Sequence, residues 1–136
     1  MPNRWILKTE PSVYSFDQLL ADRTTRWDGV RNPQALIYLR SMRKGDHALI
    51  YHSNEGKALV GAATIASAPY ADPAAGDERI VVVDVKAGKR LPREVPLAAM
   101  KADRRLADLG LIRQSRLSVM PVSDAHWAIL AGLAGL

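Results

Sequence analysis

Short apolar runs that alternate with polar positions, separated by stretches of helical spacing, organise this chain. Trp5–Lys8, "WILK", reads as a short first strand. Glu10 precedes Pro11, which keeps the backbone extended there. Ser15 stands three residues before Gln18 in "SFDQLLA", the spacing of a capping box that opens a short helix. A second helix is predicted from Asn32-Pro33, because asparagine caps well and proline fits the first helical position. Ala35, Leu36, Leu39 and Met42 then recur at helical spacing, and Gly45 is expected to end the helix.

The pattern then changes to strands. "HALIYHS" places Ala48, Ile50 and His52 on one face and His47, Leu49 and Tyr51 on the other. "NEG" makes a turn and "ALVGAATIA" returns, with Gly61 and its small neighbours marking a bend or a close backbone approach. A loop, "SAPYADPAAGDE", leads to "RIVVVDV", whose nearly continuous apolar run predicts a strand buried on both faces. "VPLAAMKADRRLADLG" predicts one or two helical turns, "RLSVMPV" a last strand, and Ser123 caps a final helix with Trp127, Leu130 and Ala134 on one face. There is no internal repeat, low-complexity tract or linker. The expectation is one α+β domain over residues 1–136, a small twisted β-barrel with short helices around it.

Composition narrows the function. The 136 residues carry 19 Lys and Arg against 14 Asp and Glu, a net charge of +5, with a pI near 9.8. Such a balance favours anionic partners, nucleic acid first and membrane surfaces second. The absence of cysteine excludes disulfides, thiolate nucleophiles and cysteine–zinc sites, and agrees with a reducing compartment. No apolar run reaches the length of a membrane span, and "WIL" is too short for a secretory signal. The expected location is the cytoplasm.

Chemistry-bearing motifs are missing. His47, His52 and His126 have no metal-ligand spacing, and no G-x-S-x-G, P-loop or G-x-G-x-x-G occurs. Glu10 and Asp28 are candidates for paired carboxylates by residue type alone, since their separation in sequence says nothing about distance. A non-enzyme without metal or cofactor is the expectation.

One stretch, "RWDGVRNPQA" from Arg26 to Ala35, fits neither periodicity. Together with "WILKTEPSVYSFDQL", "IYHSN" followed by "VGAATI", and "RLADLGLIRQSRLSVMPVSDAHW", it resembles the signature of EVE-domain proteins over about residues 4 to 130. The resemblance implies a PUA-like fold. EVE domains are similar to YTH domains, which read a methylated base in RNA, so a pocket for a modified base in DNA or RNA is implied.

The residues suit that task. A base offers π faces and a polar edge, and its binder needs an aromatic platform, fixed donors and acceptors, and cations for phosphate. Trp27 can stack, Asp28 and Asn32 can hydrogen-bond, and Arg31 can pair with phosphate. Gly29 removes bulk beside Val30, and the helix start at Pro33 adds N–H groups. By the resemblance, Lys8, Thr9, Glu10, Pro11, Tyr51, His52, Ser53 and Asn54 adjoin the pocket, and Arg113 and Arg116 reach phosphate. Trp27, Ser53 and Lys8 are therefore expected to line one concavity. A structural reading competes at every position: Trp27 as a core ring, Asp28 and Asn32 as caps, Arg31 as an ion-pair partner, Ser53 and Asn54 as turn residues.

The chain departs from the family pattern where "QALI" replaces the usual "QARN", making Leu36-Ile37 of a polar pair. Met120 stands where glutamine is common. The loop from Tyr70 to Glu78 is short, and Ile80 replaces an aromatic residue, which leaves Tyr70 as the candidate second wall of an aromatic cage. Two other functions fit the same residues. One is a pocket for a free nucleobase, nucleoside or other planar small molecule; the other is an enzyme acting on modified nucleotides.

Overall fold

The structure is a computed structural model and describes residues 3–136. Its centre is a curled, open half-barrel with strands in the order β2-β6-β4-β3-β1-β7. These are β1 (Arg4–Thr9), β2 (Thr24–Trp27), β3 (His47–His52), β4 (Ala58–Ile65), β6 (Val81–Pro96) and β7 (Val119–Pro121). The two-residue β5 (Tyr70–Ala71) pairs only with β6. All neighbours run antiparallel except β1 and β3. Their parallel pairing follows from the crossover between them, which carries helices α1 (Phe16–Asp22) and α2 (Pro33–Ser41). Helices α3 (Leu97–Ala102), α4 (Gly110–Arg113) and α5 (Asp124–Ala134) follow β6, with a 3-10 turn at Arg104–Leu106.

Several local expectations differ in detail. The Ser15 hydroxyl caps α1 by accepting from the Gln18 N–H, but the Gln18 side chain donates to Asp22 rather than back to the cap, so the box is only half closed. Helix α2 ends at Met42, before Gly45, which instead adopts φ +96° in the following turn. The β6 strand begins at Val81 and continues for 16 residues to Pro96, far beyond "RIVVVDV". Its second half keeps only Leu91 and Val95 buried, with the exposed Pro92, Arg93 and Glu94 between them. The β2 strand, the two-residue β5 within the expected loop, and helix α4 have no counterpart in the sequence pattern.

The curl is produced where β4 crosses β6. Register shifts flank Gly61 on β4, and an irregularity of this kind bends a strand and increases its twist. The glycine also makes room for α1: a Cβ at Gly61 would lie 2.2–2.4 Å from the ring of Phe16, which is fully buried. Phe16 is thereby seated against the sheet, with the Arg90 guanidinium 5.6 Å from its ring. Gly61→Ala should lower stability by about 1–3 kcal/mol through overpacking, read as an earlier urea midpoint. Adding Phe16→Leu should recover part of the loss, because the smaller side chain vacates the clashing volume; strict additivity of the two changes would rule out this account.

Candidate functional site

Strands β2 and β7 are the two free edges of the half-barrel, and its curl turns them toward one another. A cleft of about 700 Å³ opens at this seam. From the β1 side come Lys8, Thr9 and Glu10, followed by Val13 and Tyr14 in the next turn. From the other edge come Thr25, Arg26 and Trp27 of β2, then Asp28, Gly29 and Val30, while Ser118 adds the start of β7. Gly29 has φ +78°, which favours a residue without Cβ and turns the chain from β2 toward α2.

The cleft walls are fixed by hydrogen bonds. The Glu10 carbonyl accepts from the N–H groups of Val13 and Tyr14, closing the turn after β1. The Thr9 hydroxyl donates to the Tyr14 carbonyl at 2.6 Å, and the Tyr14 hydroxyl to Asp22 at 2.8 Å. The Tyr14 ring then meets Trp27 edge to face, with centroids 6.3 Å apart at 88°, a favoured aromatic geometry. Trp27 is only 7% exposed, so its ring belongs to the core and to the cleft wall at once. Burial, chiefly, raises the Tyr14 phenol above its ordinary value.

Lys8 is one of two cations of the cleft. Its ammonium donates to the Ser115 carbonyl at 2.8 Å and lies 5.9 Å from the Tyr51 ring centroid. Burial pulls its pKa below the ordinary lysine value. Arg26 faces it from β2, braced by Asp72 at 3.6 Å, a buried carboxylate that also accepts from the Ala74 N–H. The Tyr70 hydroxyl donates to Asp84 at 2.6 Å, and this bond raises its own pKa.

The structure thus brings together Lys8, Thr9, Glu10, Trp27, Asp28 and Val30. It does not bring Ser53 into the cleft. The Ser53 N–H donates to the Thr9 carbonyl, prolonging the β1–β3 ladder, and Asn54 sits at φ 66° in the turn beyond. Pro11 and Tyr70 also lie outside the lining; Tyr70 is held on β5, and the second aromatic ring of the cleft is Tyr14. Asn32 accepts from the N–H groups of Gln34 and Ala35 as the cap of α2. With Gln34, Arg113 and Arg116 it borders a smaller concavity of about 360 Å³, which the Ser115–Leu117 segment joins to the cleft wall. Arg113 pairs there with Asp108 at 2.7 Å. Arg31 points to a third groove, beside α2. Of the departures from the family pattern, Leu36 and Met120 are core residues and Ile37 is exposed.

Of the cleft residues, Val13, Tyr14, Thr25, Arg26 and Ser118 were given no site role by the sequence. Tyr14 lies inside the quoted "WILKTEPSVYSFDQL", so its presence was a usable signal. Arg26 opens the stretch "RWDGVRNPQA", but like Thr25 it had no assigned face, because the four-residue β2 strand is too short to show a period of its own.

His52 has a structural task. Its Nε2 accepts the Phe16 N–H at 3.0 Å, which requires that nitrogen to be unprotonated. Burial lowers its pKa, with Glu94 opposing. For a group with a depressed folded value, the contribution is complete above the unfolded value near 6.5 and is lost as pH falls through the folded value. Stability should therefore drop below about pH 6.5, and His52→Gln should flatten that part of the profile. An unchanged acid limb of the melting-temperature profile in the variant would rule this out.

Among the described residues no helix is long and apolar enough to cross a membrane, and no group of three or more His, Cys, Asp or Glu could hold a metal.

A seam-opened half-barrel with this helical crossover is a PUA-like fold. The EVE domain family model matches residues 3–133, and the chain belongs to the EVE-domain family. The solution structure of Rpa0253 from Rhodopseudomonas palustris is 46% identical with a TM-score of 0.93, covering 98% of this chain and 93% of that one. Thymocyte nuclear protein 1 of Danio rerio is 29% identical over 96% of this chain and 71% of its own length. The crystal structure of human THYN1 in complex with 5-methylcytosine-containing DNA has a TM-score of 0.90 at 28% identity and covers 98% of both chains.

Proposed function

We propose that this EVE domain is a non-catalytic nucleic-acid reader that receives a modified base, such as a methylated cytosine or adenine, in the seam cleft. The observation that carries the reading is the cleft itself. One concavity presents the Trp27 and Tyr14 rings, two cations (Lys8 and Arg26) and two carboxylates (Glu10 and Asp28). Rings suit the base faces, carboxylates and the Thr9 hydroxyl suit its exocyclic groups, and cations suit phosphate. Likeness to a human protein seen with 5-methylcytosine DNA supports the same direction. Asn32, Arg31, Arg113 and Arg116 flank the cleft as contacts for the strand. The net charge of +5 favours that polyanion.

Titration by anisotropy with short DNA and RNA strands, each with and without one methylated base, tests the reading. Binding that weakens steeply with salt is the expected result. Failure of every strand to bind at low salt would sink it. Equal affinity for a free nucleoside, with little salt dependence, would instead assign the cleft to a small planar metabolite; its volume of about 700 Å³ also suits one.

A further inference from the structure

The groove beside α2 is a second meeting of apolar surface and positive charge. It encloses about 410 Å³ over Pro33, Leu36, Ile37 and Ile80. Arg31, Arg40 and Arg79 rim it, against the single carboxylate of Asp77. That carboxylate is already engaged, since Arg79 forks onto it at 3.1 and 2.9 Å. The two arginines hold the Asp77 carboxyl at about 2, Arg79 by hydrogen bonds and Arg31 by its field. Arg40 donates to the Arg79 carbonyl at 2.7 Å, which anchors the far wall to α2. Three rim cations against one anion leave an excess of two positive charges over an aliphatic floor. Ile37 is 50% exposed on that floor, one of three exposed large hydrophobic side chains among the described residues. Another, Val13, lines the cleft.

The groove is joined to the cleft by a ridge. Asp28, Gly29 and Val30 border the cleft, and Arg31 and Pro33 border the groove. Along the chain the two linings meet at the Val30–Arg31 step. A ligand that fills both must repeat an anionic group and a flat or apolar unit at short intervals. A nucleotide strand does so, and one already inserted in the cleft carries its next unit to the ridge.

We propose that this groove is a subsite for the nucleotide adjacent to the one in the cleft, its base or sugar on Leu36, Ile37 and Ile80 and its phosphate on Arg31 and Arg40. The proposal rests on the reading of the cleft given above. It gives the replacement of a polar pair by Leu36-Ile37, and of an aromatic residue by Ile80, a shared location and a shared use. It also makes recognition depend on the base's neighbour on one side.

The test uses a short single-stranded DNA with one central 5-methylcytosine, the same strand cut back to that base on its 5′ or its 3′ side, and free 5-methyl-2′-deoxycytidine. Ile37→Glu changes an exposed helix position and puts a carboxylate on the groove floor. It should weaken the full strand roughly five- to ten-fold at low salt. Arg31→Gln should weaken it similarly and make the salt slope shallower by about 0.7. The Ile37→Glu variant should bind the free nucleoside like the parent, and both differences should vanish for one of the two cut strands. Parent-like binding of the full strand by both variants would overturn the subsite. Failure of the parent protein itself to bind the full strand at low salt would point instead to failure of the cleft reading, on which the subsite depends.

Discussion

Trp27→Ala should weaken binding of methylated and unmethylated strands alike, by roughly five-fold to a hundred-fold. Stacking on an aromatic ring is worth about 1–3 kcal/mol per base, and about 1.4 kcal/mol makes a factor of ten. The two strand types fall together because every base has a π face. The methyl group adds only about 0.8 kcal/mol of burial, near four-fold in affinity. The ring is also 7% exposed and packed on Tyr14. Its removal opens a cavity, so a stability loss of about 3–5 kcal/mol accompanies the loss of affinity. Trp27→Phe separates the two effects: it keeps a ring in the wall at a smaller cost to folding. Affinity should follow the order Trp, Phe, Ala, measured where circular dichroism shows each variant folded. An alanine variant that binds as well as the parent would remove Trp27 from recognition. A hundred-fold preference for one modified base would mean that a second surface grips the modification, and Tyr14, not Tyr70, is the ring placed to supply it.

The second large effect is on stability. Asp46 is 2% exposed and its two oxygens accept three N–H groups. These are the backbone N–H of Asn3 at 3.0 Å, the backbone N–H of Arg43 at 3.0 Å and the indole N–H of Trp5 at 2.9 Å. The carboxylate therefore joins the start of β1, the turn after α2 and a core indole at one point. Asp46→Ala leaves the Trp5 and Arg43 donors without partners inside the protein. Each buried orphan costs about 1–3 kcal/mol, so a loss of roughly 3–5 kcal/mol is expected. Asp46→Asn keeps the shape and one acceptor oxygen, and should lose less. Urea unfolding of the three proteins decides the matter. An alanine variant within about 0.5 kcal/mol of the parent would show that water replaces the carboxylate at no cost.

The sequence disclosed what is set locally. Ser15, Asn32 and Ser123 each accept from a backbone N–H two or three residues on, so the caps of α1, α2 and α5 follow from a few adjacent residues. The β3 and β4 strands were legible for the same reason, a short turn between two apolar runs. The β2 strand was not. It is four residues long, and its partner Val83–Lys86 lies near sixty residues away in the chain. Nor was the polar half of β6, whose exposed residues carry no strand period beyond Leu91 and Val95. The first omission bears on the cleft, since β2 supplies one of its walls. Without β2, Arg26 and Thr25 had no wall to belong to. The resemblance alone set Tyr51, His52, Ser53 and Asn54 beside the pocket, at the end of β3. The opening instead lies between β2 and the β1–β7 side, and β3 is inside the sheet.

The seam also has a meaning for solubility. A closed barrel has no free strand edge, whereas an opened one offers two, and an unpaired edge is a template on which other chains can add strands. Here both edges are poor templates. The β2 strand offers four residues, with the charged Arg26 among them. The β7 strand offers three, and the last is Pro121, which has no N–H to donate. The gap that makes room for a ligand is thus bordered by strands too short and too interrupted to recruit a second copy of the sheet.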